Sequence, residues 1–425
     1  MKLAIIGAGI SGLVAADRLQ HDHDVTIFEA NRYLGGHTNT VDVVVDNQSY
    51  AIDTGFIVFN HRTYPNFVQL LNDLGVASKP TTMGFSVRDD RLNWEYSGES
   101  LSGLFAQRRN LLRPAFYRMV ADILRFHRYA RHWVNDCDAE MTVAAFLQNH
   151  RFGSHFANQF LLPMGAAIWS CPMGTFAQFP IRFIVDFYHN HGLLSIVDRP
   201  TWYVVEGGSR TYVTALQQRF RGQVRLNLPV TRVIRDETGI TLLNESHDNE
   251  RFDRVVFACH SDQALKILGN DATSFERETL AAFPYSRNSA VLHTDTSLLP
   301  RRRHAWASWN YLVSANPQQA PSVTYQMSML QGLQSAPQFC VTLNGDDLIA
   351  PDKILRRFEY HHPIFTSQRS RAQAAHERLL TANRTSFCGA YWGHGFHEDG
   401  LCSALKVVEA LKSVRHDESL SGVIR

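Results

Sequence analysis

A glycine-rich string near the start of the chain carries the clearest chemical signal. Residues 7–12 read Gly-Ala-Gly-Ile-Ser-Gly. In such a string Gly7 permits a tight turn, Gly9 lets the backbone approach a pyrophosphate, and Gly12 allows a helix to pack closely. Glu29 follows 17 residues after Gly12, where its carboxylate can accept hydrogen bonds from both hydroxyls of a ribose. The pattern predicts a dinucleotide-binding site with its phosphates at a helix N-terminus.

The residues around this string predict the elements that must position it. Residues 3–6 are apolar, as in a buried parallel strand, and residues 10–20 carry apolar side chains at near-helical spacing. Residues 25–29 are typical of a second strand, which ends at Glu29. This βαβ order brings a glycine-rich turn to the carboxyl end of the first strand.

The rest of the chain alternates helical and β-rich stretches. Residues 100–190 have a mostly helical, aromatic pattern, and residues 401–414 predict a final helix. Residues 203–260 and 285–345 are β-rich. Because no Pro/Gly/Ser-rich linker separates these stretches, we expect two interleaved domains. The expected cofactor-binding domain comprises residues 1–80, 200–270 and 375–425, and the substrate domain comprises residues 81–199 and 271–374.

Composition limits the class of protein. A formal net charge of +2 gives no large positive field, which argues against nucleic acid as the main partner. The six cysteines include no Cys-x-x-Cys pair, so we expect buried thiols in a reducing compartment. No apolar run reaches the length of about 18 residues that a membrane-spanning helix needs, and the first residues lack an export signal. We expect a cytoplasmic protein, either soluble or peripheral at the inner face of the membrane.

The twenty histidines form no pattern typical of a metal site. No His-x-x-x-His pair with an acid lies on an evident helix face, so no bound metal is expected. His361 and His362 are expected at the surface.

Several further strings resemble the flavin-containing amine oxidase superfamily. They are residues 32–37 (Arg-Tyr-Leu-Gly-Gly-His), residues 53–56 (Asp-Thr-Gly-Phe), residues 206–209 (Glu-Gly-Gly-Ser), Val230, residues 387–390 (Phe-Cys-Gly-Ala) and residues 396–401 (Phe-His-Glu-Asp-Gly-Leu). The resemblance spans almost the whole chain. It implies an α/β fold in which a Rossmann-like FAD-binding domain of the glutathione-reductase and amine-oxidase type is interleaved with an α+β substrate domain.

The resemblance implies FAD rather than NAD, because a simple NAD-binding domain lacks the extension at residues 32–37. The start of the last helix would direct backbone N–H groups at the flavin N1–C2=O edge. No cysteine matches the covalent-flavin pattern just before that helix, so FAD is expected to bind without a covalent link. The residues expected to contact FAD are Gly7, Gly9, Ser11, Gly12, Glu29, Ala30, Arg32, Gly35, Gly36, His37, Thr54, Gly55, Phe56, Val230, Asp399, Gly400 and Leu401.

A narrower set of strings is similar to one bacterial subgroup, the FAD-dependent amine-oxidase-like proteins that are similar to the flavin domain fused to plant cyclopropane-fatty-acid synthases. The set includes residues 54–60 (Thr-Gly-Phe-Ile-Val-Phe-Asn), 168–171 (Ile-Trp-Ser-Cys) and 306–310 (Trp-Ala-Ser-Trp-Asn). This similarity implies an enzyme that partners or follows a fatty-acyl methyltransferase. The implied reaction desaturates or otherwise oxidises a methyl-branched or cyclopropane-related acyl chain.

The chain also departs from typical amine oxidases. Ala390 stands where those enzymes carry a Glu, residues 287–289 (Arg-Asn-Ser) offer no lysine, and Phe396 and His397 stand where a Tyr is usual. Two other interpretations stay open. One is an amine or polyamine oxidase, and the other is a flavoprotein that binds the methyltransferase or its lipid product without turnover.

Three residues are candidates for proton transfer or orientation while a hydride passes to flavin N5. His397 is the first candidate, because it precedes the helix that the resemblance places at the flavin. His61 and Tyr64 are the other two.

An arginine-rich stretch lies in the expected substrate domain. Residues 108–131 contain seven arginines and the single acid Asp122, interleaved with apolar residues. A solvated helix face is one explanation. The other is a basic amphipathic helix on anionic lipid, with Arg118, Arg125 and Arg128 as lipid contacts.

Overall fold

The computed structural model of the protein describes residues 1–138, 140–195, 199–245, 248–316, 321–334, 337–366 and 368–422, with side chains in the last helix described to residue 414. In chain order the strands are β1 (Lys2–Ile6), β2 (Asp24–Phe28), β3 (Thr40–Val45), β4 (Gln48–Asp53), β5 (Phe59–Asn60), β6 (Ser78–Thr81), β7 (Phe85–Asp89), β8 (Trp94–Ser97), β9 (Trp202–Val205), β10 (Gln223–Arg225), β11 (Val230–Arg235), β12 (Ile240–Asn244), β13 (Asn249–Phe252), β14 (Arg254–Phe257), β15 (Tyr285–His293), β16 (Trp309–Val313), β17 (Ser322–Gln326), β18 (Cys340–Leu343), β19 (Ile354–Pro363) and β20 (Thr385–Phe387).

The helices alternate with these strands. They are α1 (Ile10–Leu19), α2 (Pro65–Leu74), α3 (Leu101–Leu104), α4 (Pro114–Asn135), α5 (Val143–Asn149), α6 (Ser154–Phe156), α7 (Leu162–Ile168), α8 (Met173–Phe176), α9 (Ile181–Asn190), α10 (Arg210–Arg219), α11 (Ser261–Leu268), α12 (Ser274–Ala281), α13 (Met327–Leu330), α14 (Gln368–Ala374) and α15 (His397–Gly422). A 3₁₀ helix at Arg108–Leu112 precedes α4.

A parallel sheet carries the glycine-rich string. Its strand order is β10-β2-β1-β14-β20, and all four neighbouring pairs run parallel. Leu3 and Ile5 of β1 face α1, α2, α10 and α15, while Ala4 and Ile6 face the opposite core. That second core is closed by the antiparallel meander β11-β12-β13. A strand buried on both faces must be apolar at every position, which explains the unbroken apolar run in β1.

A second, mixed sheet lies in the other part of the chain. Its order is β19-β15-β18-β17-β16-β7-β8, in which only the β16–β7 pair is parallel. Helices α4 to α9 follow β8 along the chain and enclose an aromatic core that includes Phe126, Phe146, Phe156 and Phe176. Strands from distant parts of the sequence therefore build each sheet. The α/β fold with a parallel cofactor-type sheet and a separate mixed sheet is confirmed.

Two local expectations differ from the structure. The final helix begins at His397 rather than at residue 401, because the Asp399 carboxylate accepts the Phe396 N–H at 2.9 Å and stabilises an earlier start. Helix α10 lies inside a stretch expected to be β-rich; its buried Tyr212, Val213 and Leu216 pack into the core beside α1. No helix among the described residues is both long enough and apolar enough to cross a membrane.

Candidate functional site

The glycine string at residues 7–12 is closely packed at Gly7 and Gly12 and has open space beside Gly9. Gly7 adopts φ +103° and donates its N–H to the Phe28 carbonyl at 2.8 Å. A Cβ on Gly12 would lie 1.9 Å from the Gly7 oxygen, so only glycine fits there. A Cβ on Gly9 would meet nothing within 4 Å. The backbone at Gly9 therefore borders open space at the N-terminus of α1, where a phosphate can approach.

The Glu29 carboxylate lies directly beside this loop. It is 6% exposed, and its two oxygens accept the N–H groups of Ala8 and Asn31, each at 2.8 Å. An ionised carboxylate can accept more than two hydrogen bonds, so both oxygens keep lone pairs for the hydroxyls of a ribose. Ala30 and Arg32 follow on the exposed surface.

A second glycine pair lies against the first loop. Gly35 and Gly36 have φ of +120° and +59°, and Gly35 donates its N–H to the Ala8 carbonyl at 2.8 Å. A Cβ on Gly36 would come within 3.2 Å of the Gly9 Cα. The two glycine loops are thus in contact and form adjacent walls of one backbone cradle.

The first turn of α15 packs against the first turn of α1. Ser11 donates its hydroxyl to the Gly400 carbonyl at 2.8 Å, and a Cβ on Gly400 would lie 3.0 Å from the Ser11 Oγ. Leu401 is 2% exposed and belongs to the core below. Burial raises the pKa of Asp399. Two helix N-termini therefore meet here, and their positive dipole ends favour an anionic ligand.

The turn that follows β4 lies on the peptide of His37. Phe56 donates its N–H to the His37 carbonyl at 2.7 Å, and a Cβ on Gly55 would lie 2.1 Å from that oxygen. Thr54 donates its hydroxyl to the Asn39 carbonyl at 2.9 Å. The turn and the segment after Gly36 are therefore one hydrogen-bonded unit.

Asp53 fixes the base of this unit. Its carboxylate is fully buried and accepts hydrogen bonds from the Thr40 hydroxyl at 2.6 Å and from the Ser209 N–H and hydroxyl at 2.9 and 2.7 Å. Burial outweighs these donors and raises the pKa of Asp53 to about 6. Asp53 and Ser209 were expected in two separate motifs, and the structure joins those motifs directly.

His397, the first catalytic candidate, is enclosed by aromatic rings. Its ring stacks on Phe56 at 3.7 Å between centroids and meets the edge of Phe67 at 5.1 Å. The Nε2 atom lies 2.6 Å from the Tyr212 hydroxyl, which in turn lies 2.6 Å from the Thr38 hydroxyl. Burial lowers the pKa of His397 to about 3, so the imidazole is neutral. The geometry favours an orienting role over proton acceptance.

The other two catalytic candidates lie in different surroundings. His61 is exposed, and its ring stacks on Tyr203 at 4.1 Å. Tyr64 is 3% exposed, and its pKa is raised first by burial and then by the charges of Asp399 and Glu398. Tyr64 therefore stays protonated and lies within the electrostatic reach of the start of α15, whereas His61 faces solvent.

Glu398 has a role that the sequence strings did not reveal. One carboxylate oxygen accepts the N–H and the side-chain amide of Asn66 at 3.0 and 2.7 Å, and the other accepts the Phe67 N–H at 2.9 Å. These are unpaired N–H groups at the start of α2. Glu398 thus caps α2 from a position 331 residues away along the chain, and only a long-range contact could have shown this.

A cluster of neutral histidines surrounds His37. Its ring lies 5.8 Å from His260, 5.4 Å from His362 and 5.1 Å from Tyr360. Burial lowers the pKa of His37 to about 4 and that of His260 and His362 to about 3. His362, expected at the surface, is only partly exposed, since β19 places it on the same face as Tyr360. The side chain of His361, for which the same was expected, is 44% exposed and lies 3.1 Å from Glu359. The His37 Nε2 is buried and has no hydrogen-bond partner among the described residues.

Five aromatic side chains join α9 to the loop before α15. We call Phe183, Phe187, His191, His394 and Phe396 the aromatic wall. Phe187 stacks on Phe396 at 4.8 Å and on His191 at 3.9 Å, and Phe183 stacks on His394 at 5.0 Å. Burial lowers the pKa of both histidines, that of His191 to about 4. The rings of the wall therefore pack mainly on one another, and its two histidines are neutral.

Arg369 holds the loop that carries this wall. It is 2% exposed, and its guanidinium lies 3.6 Å over the Phe365 ring. Arg369 and Gln373 each donate to the Gly393 carbonyl at 2.6 Å. Burial lowers the pKa of Arg369 to about 9. No sequence motif pointed to this residue, because its partner is a backbone carbonyl.

The donors and acceptors of the cradle fit FAD. The two glycine loops would hold the pyrophosphate, Glu29 would hold the ribose, and the unpartnered Nε2 of His37 offers a buried polar contact. Val230, expected beside adenine, lines a cavity of about 230 Å³ together with Phe28 at the end of β2. Among the residues expected to contact FAD, Ala30 and Arg32 are exposed, and Leu401 lies in the hydrophobic core.

Comparison with known proteins also indicates a flavin-binding protein. The family model described as flavin containing amine oxidoreductase matches residues 10–298. The chain is similar to the structure of a CLA-producing fatty acid isomerase from P. acnes, at 14% identity and TM-score 0.69 over 96% of this chain and 98% of that chain. It is also similar to putrescine oxidase bound to putrescine, at 14% identity and TM-score 0.69 over 97% and 99% of the two chains. At such identities the similarity shows the fold alone.

A shorter similarity comes from a curated protein. The 4,4'-diapophytoene desaturase (4,4'-diaponeurosporene-forming) of Staphylococcus aureus (strain Newman) is 55% identical over 40 residues. That stretch covers 9% of this chain and 8% of the desaturase. The match therefore concerns a small part of both proteins.

Proposed function

The chain belongs to the flavin-containing amine oxidoreductase family, and on this premise we propose that it is an FAD-dependent enzyme that desaturates a methyl-branched or cyclopropane-related fatty acyl chain. The observation that carries the proposal is the aromatic wall next to the start of α15, whose ring surfaces suit a hydrocarbon and whose two histidines are neutral. FAD held without a covalent link is part of the proposal. Acid precipitation should then release the flavin, and flavin retained in the pellet would contradict it.

Desaturation requires the loss of a hydride from one carbon and of a proton from its neighbour, so that a carbon–carbon double bond remains. FAD, when bound, supplies the two-electron acceptor for the hydride. The aromatic wall orients the acyl chain and excludes water from it. The second proton leaves to water or to a side chain near the start of α15.

The residues near that helix differ in what they can do with this proton. His397 is neutral, and its Nε2 lies at hydrogen-bond distance from the Tyr212 hydroxyl. This arrangement supports an orienting role for His397. Tyr64 is protonated because burial raises its pKa, so it can donate a hydrogen bond but is a poor base. His61, which is exposed, completes the candidates.

Charge at the site argues against an amine as the preferred substrate. A protonated amine is held best by a carboxylate or by an aromatic cage. The carboxylates at the start of α15 already have partners, since Glu398 accepts N–H groups at the start of α2 and Asp399 accepts the Phe396 N–H. The side chain of Arg287, at the position without lysine, pairs with Glu359 at the surface. Amine or polyamine oxidation is the second candidate function, and the fold similarity to putrescine oxidase supports it.

Two of the similar proteins act on apolar molecules according to their names, a fatty acid isomerase and a diapophytoene desaturase. Both support an apolar substrate for this chain. The proposal also places a fatty-acyl methyltransferase as the source of the branched acyl chain.

Anaerobic flavin reduction tests the proposal. Phospholipid with methyl-branched acyl chains should bleach the flavin of the holoenzyme, and putrescine should not. Reduction by the amine alone would support the amine oxidase, while no reduction by either would support a flavoprotein that binds without turnover. Both results would overturn the proposal.

A matched pair of variants tests the role of the aromatic wall. Phe183 and Phe160 are both half-buried in the same aromatic core, but only Phe183 belongs to the wall. Phe183→Ala should slow reduction by the acyl substrate about tenfold, which corresponds to about 1.4 kcal/mol. Phe160→Ala should leave the rate unchanged, and equal effects of the two substitutions would contradict the assignment.

A further inference from the structure

Exposed large hydrophobic side chains are concentrated in one region of the surface. Among the described residues, all of them except Val44 lie between residues 92 and 129. Leu112 is 87% exposed, and Leu111 and Tyr117 are each 48% exposed. Soluble proteins rarely leave such side chains together in solvent, so a concentration of this kind marks a docking surface.

The exposed leucines are held outward by the backbone around them. Asn110 is fully buried and donates its amide to the Glu95 carbonyl at 3.1 Å. Arg113 donates to the Asn110 side chain at 3.1 Å, so the residues on both sides of Leu111 and Leu112 are tied to the protein. These bonds fix the backbone position of the segment that carries both leucines.

We call Leu92, Leu111, Leu112 and Tyr117 the leucine patch. Tyr117 donates its hydroxyl to the Leu111 carbonyl at 2.9 Å, and Leu92 and Leu112 line one cleft of about 300 Å³. These contacts make the patch one continuous surface at the start of α4.

Positive charge adjoins the leucine patch in the sequence and continues along α4. Arg108, Arg109, Arg118 and Arg128 form no ion pair with any residue that the structure describes. Asp122, the one acid in this stretch of sequence, cannot neutralise them, because it pairs with Arg125 at 3.0 Å. We call these four residues the flanking arginines.

Arg125 does not belong among them, although the sequence pattern placed it with Arg118 and Arg128. Its guanidinium pairs with Asp122 and lies 4.2 Å over the Phe152 ring. Arg125 therefore helps to hold α4 in the fold, and its replacement would disturb the protein as well as the surface.

The leucine patch and the flanking arginines together identify the occupant. Arginine binds the phosphate groups of anionic lipids, while leucine and tyrosine insert below them into the apolar layer. A nucleic acid would bind the arginines but would not cover the leucines. A second copy of this chain is not needed to balance the positive charge, because anionic lipid does so. We infer that this surface docks on an anionic phospholipid bilayer, an inference that does not depend on the proposed substrate chemistry.

Vesicle sedimentation with the holoprotein tests the inference. The wild type should bind vesicles rich in phosphatidylglycerol and should bind phosphatidylcholine vesicles far less. Leu111→Gln combined with Leu112→Gln should weaken binding to the anionic vesicles about tenfold, because two inserted side chains become polar. Arg108→Gln combined with Arg109→Gln should weaken it about fivefold per arginine at low salt.

Matched controls separate docking from folding. Val44→Gln changes a side chain that is 71% exposed elsewhere, and Arg356→Gln changes an exposed arginine outside the patch; both should sediment like the wild type. All variants should keep the wild-type flavin content and melting temperature. The inference fails if the wild type binds neither kind of vesicle, or if the patch variants sediment like the controls. A dimer that the leucine substitutions dissociate, without vesicle binding, would assign the surface to a second copy instead.

Discussion

Asp53 gives a prediction whose sign can be measured. Its carboxylate is fully buried, and burial raises its pKa from the ordinary 3.8 to about 6 despite hydrogen bonds from Thr40 and Ser209. That rise corresponds to about 3 kcal/mol at 1.36 kcal/mol per pKa unit. Relative to the protonated form, the ionised form of Asp53 is therefore less favourable in the folded protein than in the unfolded chain.

The direction of the pH dependence follows from linkage. Between pH 3.8 and about 6 the folded protein keeps the proton on Asp53 while the unfolded chain releases it. The contribution of Asp53 to the free energy of unfolding must then fall as pH rises through this window. Asparagine does not titrate, so Asp53→Asn lacks this contribution. The free energy of unfolding of the variant minus that of the wild type should therefore rise by up to about 3 kcal/mol between about pH 4 and about pH 7, whatever the difference is at pH 4.

Urea unfolding with excess FAD, followed by tryptophan fluorescence at several pH values, measures this difference. Asp42→Asn is the matched control, because the hydrogen bond from Arg210 lowers the pKa of the exposed Asp42 carboxylate. The control should lose stability relative to the wild type as pH rises only below the ordinary pKa of 3.8, so its difference from the wild type should stay constant between about pH 4 and about pH 7. If the difference between Asp53→Asn and the wild type is equally constant over this range, the Asp53 pKa is not raised and the reasoning is wrong.

Three substitutions test other parts of the site. Glu29→Lys should abolish FAD binding, since it removes the ribose acceptor; flavin absorbance of the purified protein reports this, and full occupancy would contradict the assignment. Tyr212→Phe should lower the free energy of unfolding by about 1 kcal/mol because it removes the hydrogen bond to His397, and an unchanged urea midpoint would count against that bond. Glu398→Gln should cost about 1–2 kcal/mol by weakening the cap on α2 while FAD content stays the same, as urea unfolding and absorbance would show.

Local sequence patterns predicted the parts of the fold that depend on near neighbours. The apolar run of β1, the glycine string and Glu29 all lie within one βαβ unit, and each residue type follows from a single local requirement. The position of Gly12 is an example, since a Cβ there would lie 1.9 Å from the Gly7 oxygen. Such short-range contacts can be expected from spacing alone.

Long-range pairs could not be predicted in the same way. Asp53 and Ser209 are 156 residues apart, and the aromatic wall joins Phe187 to Phe396, which are also far apart in the sequence. Neither pair leaves a mark on local periodicity. The arginine count around Asp122 likewise gave no sign that Arg125 lies against Phe152, while Arg118 forms no ion pair with the residues that the structure describes.

Gly9→Ala tests the cofactor site most directly. Gly9 has φ −71° and ψ −176°, which alanine adopts freely, and a Cβ there would meet nothing within 4 Å. The apoprotein of this variant should therefore melt at the wild-type temperature. FAD should nevertheless bind about tenfold more weakly or worse, because the methyl group takes the space of the pyrophosphate.

The decisive measurement is the dissociation constant of FAD for Gly9→Ala, taken by flavin fluorescence titration of the refolded apoprotein and set against its melting temperature. The account predicts an unchanged melting temperature together with weakened FAD binding. Wild-type affinity for FAD in a normally folded variant would contradict it, because the open space at Gly9 would then not be where the cofactor binds.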